Sequence, residues 1–137
     1  MNNFIVNIAM TFITLFFVLQ FVVDQTNHKH RVDFNNIVEA SVQDARKEGY
    51  FTPEIIDDLK HDISQKLYIS EDEIVIQVTT TPKYRTNAYN PSELIQYKIS
   101  VPTKKIIAMA SFFGIDESKN PNYSLSGEVS SERLADR

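Results

Sequence analysis

The sequence has no cysteine, no tryptophan, only three glycines, and no charged side chain before Asp24. The lack of cysteine excludes a disulfide scaffold and a cysteine nucleophile. Three glycines are too few for a phosphate-binding loop, and no serine lies in a G-x-S-x-G turn. The net charge of −4 argues against nucleic acid as a partner, because Lys104 and Lys105 alone do not make a basic patch. We therefore expect a protein that is not an enzyme, with no cofactor and no small-molecule substrate.

The remaining groups that could carry chemistry are histidines and neighbouring carboxylates. His28 and His30, with Asp24 nearby and His61 elsewhere, form the one metal-like cluster. Residues two apart point to different sides of a helix, so we expect the pair to face lipid headgroups rather than a metal. The clustered acids are expected to be solvated helix and turn carboxylates; they are Asp57, Asp58, Glu71, Asp72 and Glu73.

The uncharged N-terminus contains the apolar run Phe4–Val23, FIVNIAMTFITLFFVLQFVV. At 1.5 Å per residue this run would be about 30 Å long, which is the thickness of a bilayer's hydrocarbon core. A cleaved secretory signal would carry a charged n-region and small residues at the cut site, and neither is found in this segment. A buried core helix would need a larger protein around it, and an interfacial helix would have a charged face. We therefore predict one membrane-inserted helix.

Three polar residues of the apolar run share one helix face, because Asn7, Thr11 and Thr14 follow i, i+4, i+7 spacing. Such a stripe can pack against another helix in lipid. Alternatively, the threonine hydroxyls bond to carbonyls of their own helix and the asparagine is tolerated near the interface. The sequence leaves both alternatives open.

The orientation of the chain is also open. Lys29 and Arg31 follow the apolar run, and by the positive-inside rule they favour a cytoplasmic C-terminal domain. A long domain can be translocated regardless of two such charges.

Beyond the apolar run, the pattern predicts that the same helix continues into a water-facing domain. Apolar residues recur there at helical spacing, namely Val32, Phe34, Ile37, Val38, Val42 and Ala45. No proline or glycine interrupts residues 1–48, so we predict one helix of about 65–70 Å that ends at Gly49. Thr52 and Pro53 then predict the start of a second helix, which is expected to end near residues 68–70.

The rest of the chain reads as strands and connections. β-branched and alternating runs predict strands over residues 73–80, 94–101 and 123–129. Residues 81–92 read as a long loop, and residues 104–113 as a short helix or packed loop closed by Gly114. The predicted class is α+β: a small antiparallel sheet and a second helix packed on the outer half of a long N-terminal helix. The predicted divisions are a membrane segment (1–27), a head (28–129) and a polar tail expected to fray (130–137).

Aromatic and arginine residues in the long loop predict a partner surface at Tyr84, Arg85 and Tyr89, because such residues carry interfaces when they are exposed. The alternative is that the rings fold back on the sheet as a lid over the small core.

The layout resembles that of type IV pilin-like proteins, and more narrowly the minor pilins or pseudopilins of the tight-adherence branch. The resemblance lies in the apolar run continuing into VDFNNIVEASVQDARKEG, then TPEIIDDL, the strands, and the polar exit near SGEVSSERL. Between Met1 and Val23 the chain lacks the basic leader and the early acidic residue that such proteins usually carry.

The resemblance implies a structural subunit of a surface filament or of a secretion or conjugation apparatus. Its apolar helix would lie in membrane lipid and then assemble with copies of itself or with similar subunits, and its head would lie outside the cell or in the filament. The alternative is a single-pass anchor whose head holds a soluble partner.

Overall fold

A computed structural model of the chain describes residues 2–85, 90, 93–116, 118–119 and 121–134. Its first element is a single helix, α1 (Asn2–Glu48), of 47 residues, which corresponds to about 70 Å. The helix ends at Gly49, whose φ is +88° and whose N–H donates to the Ala45 carbonyl at 2.8 Å. The predictions of one uninterrupted helix and of its end at Gly49 are confirmed.

The second helix, α2 (Pro53–Leu67), begins as its sequence predicts. The Thr52 hydroxyl accepts a hydrogen bond from the Ile55 N–H at 3.2 Å, which satisfies one of the free donors of the first turn. Its apolar stripe packs against the outer half of α1, residues 28–48. The buried members of that stripe are Leu59, Ile63 and Leu67.

Helix α2 ends at Tyr68, which has a left-handed backbone (φ 54°, ψ 45°) and a side chain that is 85% exposed. A residue with a Cβ resists this conformation by about 1–2 kcal/mol, and the exposed ring has little packing to lose. We expect Tyr68→Gly to raise the free energy of unfolding of the full chain in mild detergent by about 1 kcal/mol. Tyr68→Ala is the control, since it removes the ring and keeps the Cβ. Equal stabilities for the two variants would show that the left-handed backbone of Tyr68 is not strained.

The sheet has three antiparallel strands in the order β1-β2-β3. They are β1 (Val75–Val78), β2 (Leu94–Pro102) and β3 (Asn122–Ser130). Strand β1 is shorter than the predicted 73–80: a 3-10 turn over Glu71–Glu73 delays its start, and it ends at Val78. With the long helix, the second helix and the small sheet all present, the α+β class is confirmed.

One core joins the outer half of α1, α2 and the inner face of the sheet. From α1 it takes Phe34, Val38, Val42 and Ala45, and Phe34 meets the Tyr123 ring edge-on at 5.7 Å between centroids. Strand β2 contributes alternate residues, with Ile95, Ile99 and Val101 fully buried, and Ile74, just before β1, is nearly fully buried.

A glycine stands among the apolar inward residues of the third strand for a steric reason. Gly127 occupies an inward position of β3 and pairs directly with Tyr97 of β2. A Cβ at Gly127 would lie 2.5 Å from the Tyr97 hydroxyl oxygen and 2.8 Å from Cζ. The glycine therefore leaves room for the tyrosine ring on the inner face, where burial, assisted by the Glu39 carboxylate, raises the pKa of the Tyr97 phenol.

The tail was predicted to fray, and for its first residues that prediction is wrong. Ser131 is 3% exposed, and the Glu132 N–H donates to the Arg46 carbonyl at 2.8 Å. The Glu132 carboxylate pairs with the Arg46 guanidinium at 2.8 Å, and Arg133 donates to the Glu48 carbonyl at 3.1 Å. The chain after β3 thus supplies partners to carbonyls in the last turn of α1, which have none within the helix.

Candidate membrane-associated surface

The first half of α1 is apolar and uncovered. Every residue from 4 to 19 is exposed, and the exposed fractions of Phe4, Phe12 and Leu19 are between 65% and 69%. The segment is therefore not the core helix of this chain. By length and composition α1 is a candidate single membrane span. We call Phe4–Val23 the apolar half of α1.

Within the apolar half, the predicted polar stripe lines a shallow concavity. It is formed by Asn7, Met10, Thr11, Thr14 and Leu15. The Thr11 hydroxyl donates to the Asn7 carbonyl and the Thr14 hydroxyl to the Met10 carbonyl, both at 2.8 Å. These bonds are those of the second alternative, in which the threonine hydroxyls bond to carbonyls of their own helix. The small threonine side chains still leave a groove that another helix can enter.

Just beyond the apolar half, a buried amide fastens a distant loop to α1. Asn27 is 3% exposed, its Oδ1 accepts from the Ala108 N–H at 2.8 Å, and its Nδ2 donates to the Ala108 carbonyl at 3.1 Å. The contacts of the head therefore reach residue 27, which the sequence assigned to the membrane segment. Nothing local in the sequence signals this pair, because 81 positions separate its members.

The loop that Asn27 holds is itself apolar. It follows α3 (Thr103–Ile106), runs over Ile107–Ile115, includes a 3-10 turn at Ala110–Phe113, and is closed by Gly114. The prediction of a short helix or packed loop ending at Gly114 is thus confirmed, as both are present. We call Ile107–Ile115 the apolar loop.

The apolar loop extends along α1 towards the apolar half. The Phe112 ring meets the Phe16 ring edge-on at 6.1 Å between centroids, and Phe113 lies 5.6 Å from Phe112. Phe16 precedes Asn27 by eleven residues, which is about 16 Å along the helix. Met109, Phe112 and Phe113 remain 59%, 49% and 38% exposed. Sequence reasoning gave this loop no role, although a run of nine residues without charge was the available signal.

The predicted partner surface in the long loop is described only in part. Tyr84 is half-buried, with the Arg133 guanidinium 5.6 Å above its ring, so the ring is covered by the segment after β3. The Arg85 N–H donates to the Arg133 carbonyl at 2.7 Å, while the residue stays exposed. Tyr89 lies outside the described residues. The partner surface remains a prediction.

Comparison with known proteins adds no family. No family model matches the chain, and no curated protein or solved structure is significantly similar to it. The pilin-like resemblance therefore remains a prediction from layout.

The chemistry-bearing groups are dispersed in the described part of the chain. No three histidine, cysteine or carboxylate residues there are grouped so as to hold a metal ion. His28 is exposed and His30 is half-buried. The clustered acids, Asp57, Asp58, Glu71, Asp72 and Glu73, lie on the surfaces of a helix and a turn, as predicted. Just after the apolar loop, the Ser118 hydroxyl and N–H donate to the Asp116 carboxylate and hold its pKa below the usual range.

Proposed function

We propose that this protein is a non-enzymatic, membrane-anchored structural subunit of the pilin-like kind, which assembles with copies of itself or similar subunits through the apolar half of α1. The observation that carries the proposal is the contrast between the halves of one uninterrupted helix. Phe34 and Val42 in the outer half are fully buried in the head, while Phe12 in the apolar half is 69% exposed. A head joined by one continuous helix to a predominantly apolar rod suits packing of many rods side by side.

The polar stripe supplies the specificity of that packing. Once helices lie in lipid, burial from water no longer drives their association, so close contact and hydrogen bonds must do so. A membrane hydrogen bond contributes only about 0.6 kcal/mol, which makes a single pair of helices weak and favours assemblies of many copies. The groove along Asn7, Thr11 and Thr14 is a concavity into which side chains of a neighbouring helix can fit.

We expect single cysteines along residues 5–22 of the full chain in lipid to crosslink with helical spacing, strongest at positions 7, 11 and 14. The natural sequence has no cysteine, so each variant carries one reactive thiol. At 100° per residue, Phe12 and Phe16 lie about 140–180° away from Asn7 and serve as the weakly crosslinking positions. An even or empty pattern would contradict assembly through the stripe.

A matched pair of variants separates packing from simple anchoring. Asn7→Leu is expected to weaken crosslinking at the stripe severalfold, whereas Phe12→Leu on the opposite side should leave it unchanged. The proposal is wrong if both variants crosslink like the natural sequence.

A second candidate function is a single-pass anchor for a soluble partner. The observation in its favour is that both threonine hydroxyls of the stripe are already satisfied within α1. If the protein is such an anchor, we expect substitutions in the stripe to have no effect on crosslinking and the head to bind the partner.

A further inference from the structure

We propose that the apolar loop, Ile107–Ile115, inserts into the same bilayer as the apolar half of α1 and gives the head a second contact with lipid. The inference rests on the proposed anchoring by α1, and it adds the lipid surface as the partner of a segment of the head. The first observation that supports it is the position of the loop, because Phe112 contacts Phe16, a residue of the span itself.

The depth of the loop fits insertion at the membrane boundary. Phe16 lies seven residues before Val23, the last residue of the apolar half, which is about 10 Å along the helix. Monotopic segments bury their apolar face about 5–10 Å into the headgroup and acyl boundary. If α1 spans the bilayer, the Phe112 ring is therefore brought to this depth.

The distribution of charge around the loop also fits the boundary between headgroups and acyl chains. None of its residues is charged, whereas Lys104 and Lys105 precede it and Asp116 and Lys119 follow it. Long cationic side chains at such edges extend to the headgroups while their stems lie along apolar surface. Met109, Phe112 and Phe113 together present exposed apolar surface that is continuous with the span.

Part of the backbone of the loop is already hydrogen-bonded, which favours it in an environment with little water, where an unpaired N–H costs several kcal/mol. The Ile107 N–H donates to the Thr103 carbonyl at 2.8 Å and the Ala108 N–H to Asn27. The turn satisfies three more N–H groups at 2.9–3.1 Å, those of Phe112, Gly114 and Ile115. Asn27 thus both fixes the loop to α1 and removes polar groups that lipid would not solvate.

The loop and the polar stripe can act at the same time. At 100° per residue, Phe16 and Asn27 share a side of α1 that is about 180–200° from Asn7. The stripe is therefore free for a neighbouring helix while the opposite side carries the loop. A lipid partner suits that side, because the loop lies against the apolar segment that would be in the bilayer.

The test is depth-dependent quenching on the full chain in vesicles of phosphatidylcholine and phosphatidylglycerol. A polarity-sensitive fluorophore is attached to a single cysteine, Met109→Cys or Phe113→Cys in the loop. Leu19→Cys, in the span but outside the groove of the polar stripe, and Ser126→Cys on the exposed side of β3 are the controls. We expect the loop labels to be quenched severalfold more by lipids with a nitroxide near the headgroup than the Ser126→Cys label, and to be shielded from aqueous iodide.

Each other result overturns the inference in a recognisable way. If the Leu19→Cys label is quenched while the loop labels are open to iodide, the span is correct and the loop contact is wrong. If the Leu19→Cys label is not quenched, the anchoring itself fails. If the loop labels are shielded from both quenchers and become exposed on dilution with lipid, a second copy covers the loop.

A charged residue placed in the loop is an independent test of insertion, and comparison with an uncharged residue at the same position controls for loss of the fold. Met109 has a left-handed backbone (φ 55°), which aspartate and asparagine tolerate better than most residues. We expect Met109→Asp to reduce lipid quenching of a label at Phe113→Cys severalfold, and the uncharged Met109→Asn to reduce it less. Equal quenching in the two variants contradicts insertion.

Discussion

Replacing Gly49 with valine is expected to destabilise the head by about 2–5 kcal/mol, the sum of a left-handed backbone penalty and overpacking. A Cβ at this position would lie 2.5 Å from the Lys83 carbonyl oxygen and 3.2 Å from Ser131 Oγ. The carbonyl cannot move aside easily, because the Lys83 N–H donates to the Gly49 carbonyl at 2.9 Å. Urea unfolding of the full chain in mild detergent, followed by near-ultraviolet circular dichroism, measures the loss.

Gly114→Val is the matched control for this prediction. Gly114 also has a left-handed backbone (φ +75°), but a Cβ there would have no neighbour within 4 Å. We expect this variant to lose only about 1–2 kcal/mol. If the two valine variants lose the same stability, the close approach of the chain at Gly49 is not the cause.

Truncating Phe34 to alanine is expected to cost about 3–5 kcal/mol, the usual loss for a fully buried phenylalanine. Its side chain is 0% exposed and forms the edge-on contact with Tyr123 at 5.7 Å, so the loss falls on the junction of α1 with the sheet. The same unfolding measurement applies, with the tyrosine signal reporting on the head.

Phe12→Ala provides the same chemical change in the same helix. Phe12 is 69% exposed and contributes nothing to the core of the head. We expect its effect on the unfolding of the head to be within about 0.5 kcal/mol. A large loss at Phe12 would contradict the division of α1 into an apolar half and a buried outer half.

Much of the fold was predictable because its signals are local. Thr52 and Pro53 mark the start of α2, Gly49 the end of α1, and the β-branched run around Ile76 the first strand. Each depends on a few neighbouring residues whose capping, backbone freedom or side-chain spacing acts within one element. The candidate membrane span is local in the same sense, since it is a matter of length and hydropathy.

The predictions that failed or were missing concern contacts between distant parts of the chain. The tail does not fray at Ser131 because the end of α1 offers carbonyls that its own helix leaves unpaired. The polar tail has no apolar pattern that would indicate such docking, so its composition alone predicted fraying.

The sequence by itself determined the long helix, the second helix, the three strands, the α+β class and an apolar segment long enough to cross a bilayer. Only the tertiary structure decided that Asn27 holds Ala108, that Phe112 reaches Phe16, and that Gly127 makes room for Tyr97. The physical reason is that hydropathy and capping act along the chain, whereas packing and hydrogen bonding depend on which residues the completed fold brings together.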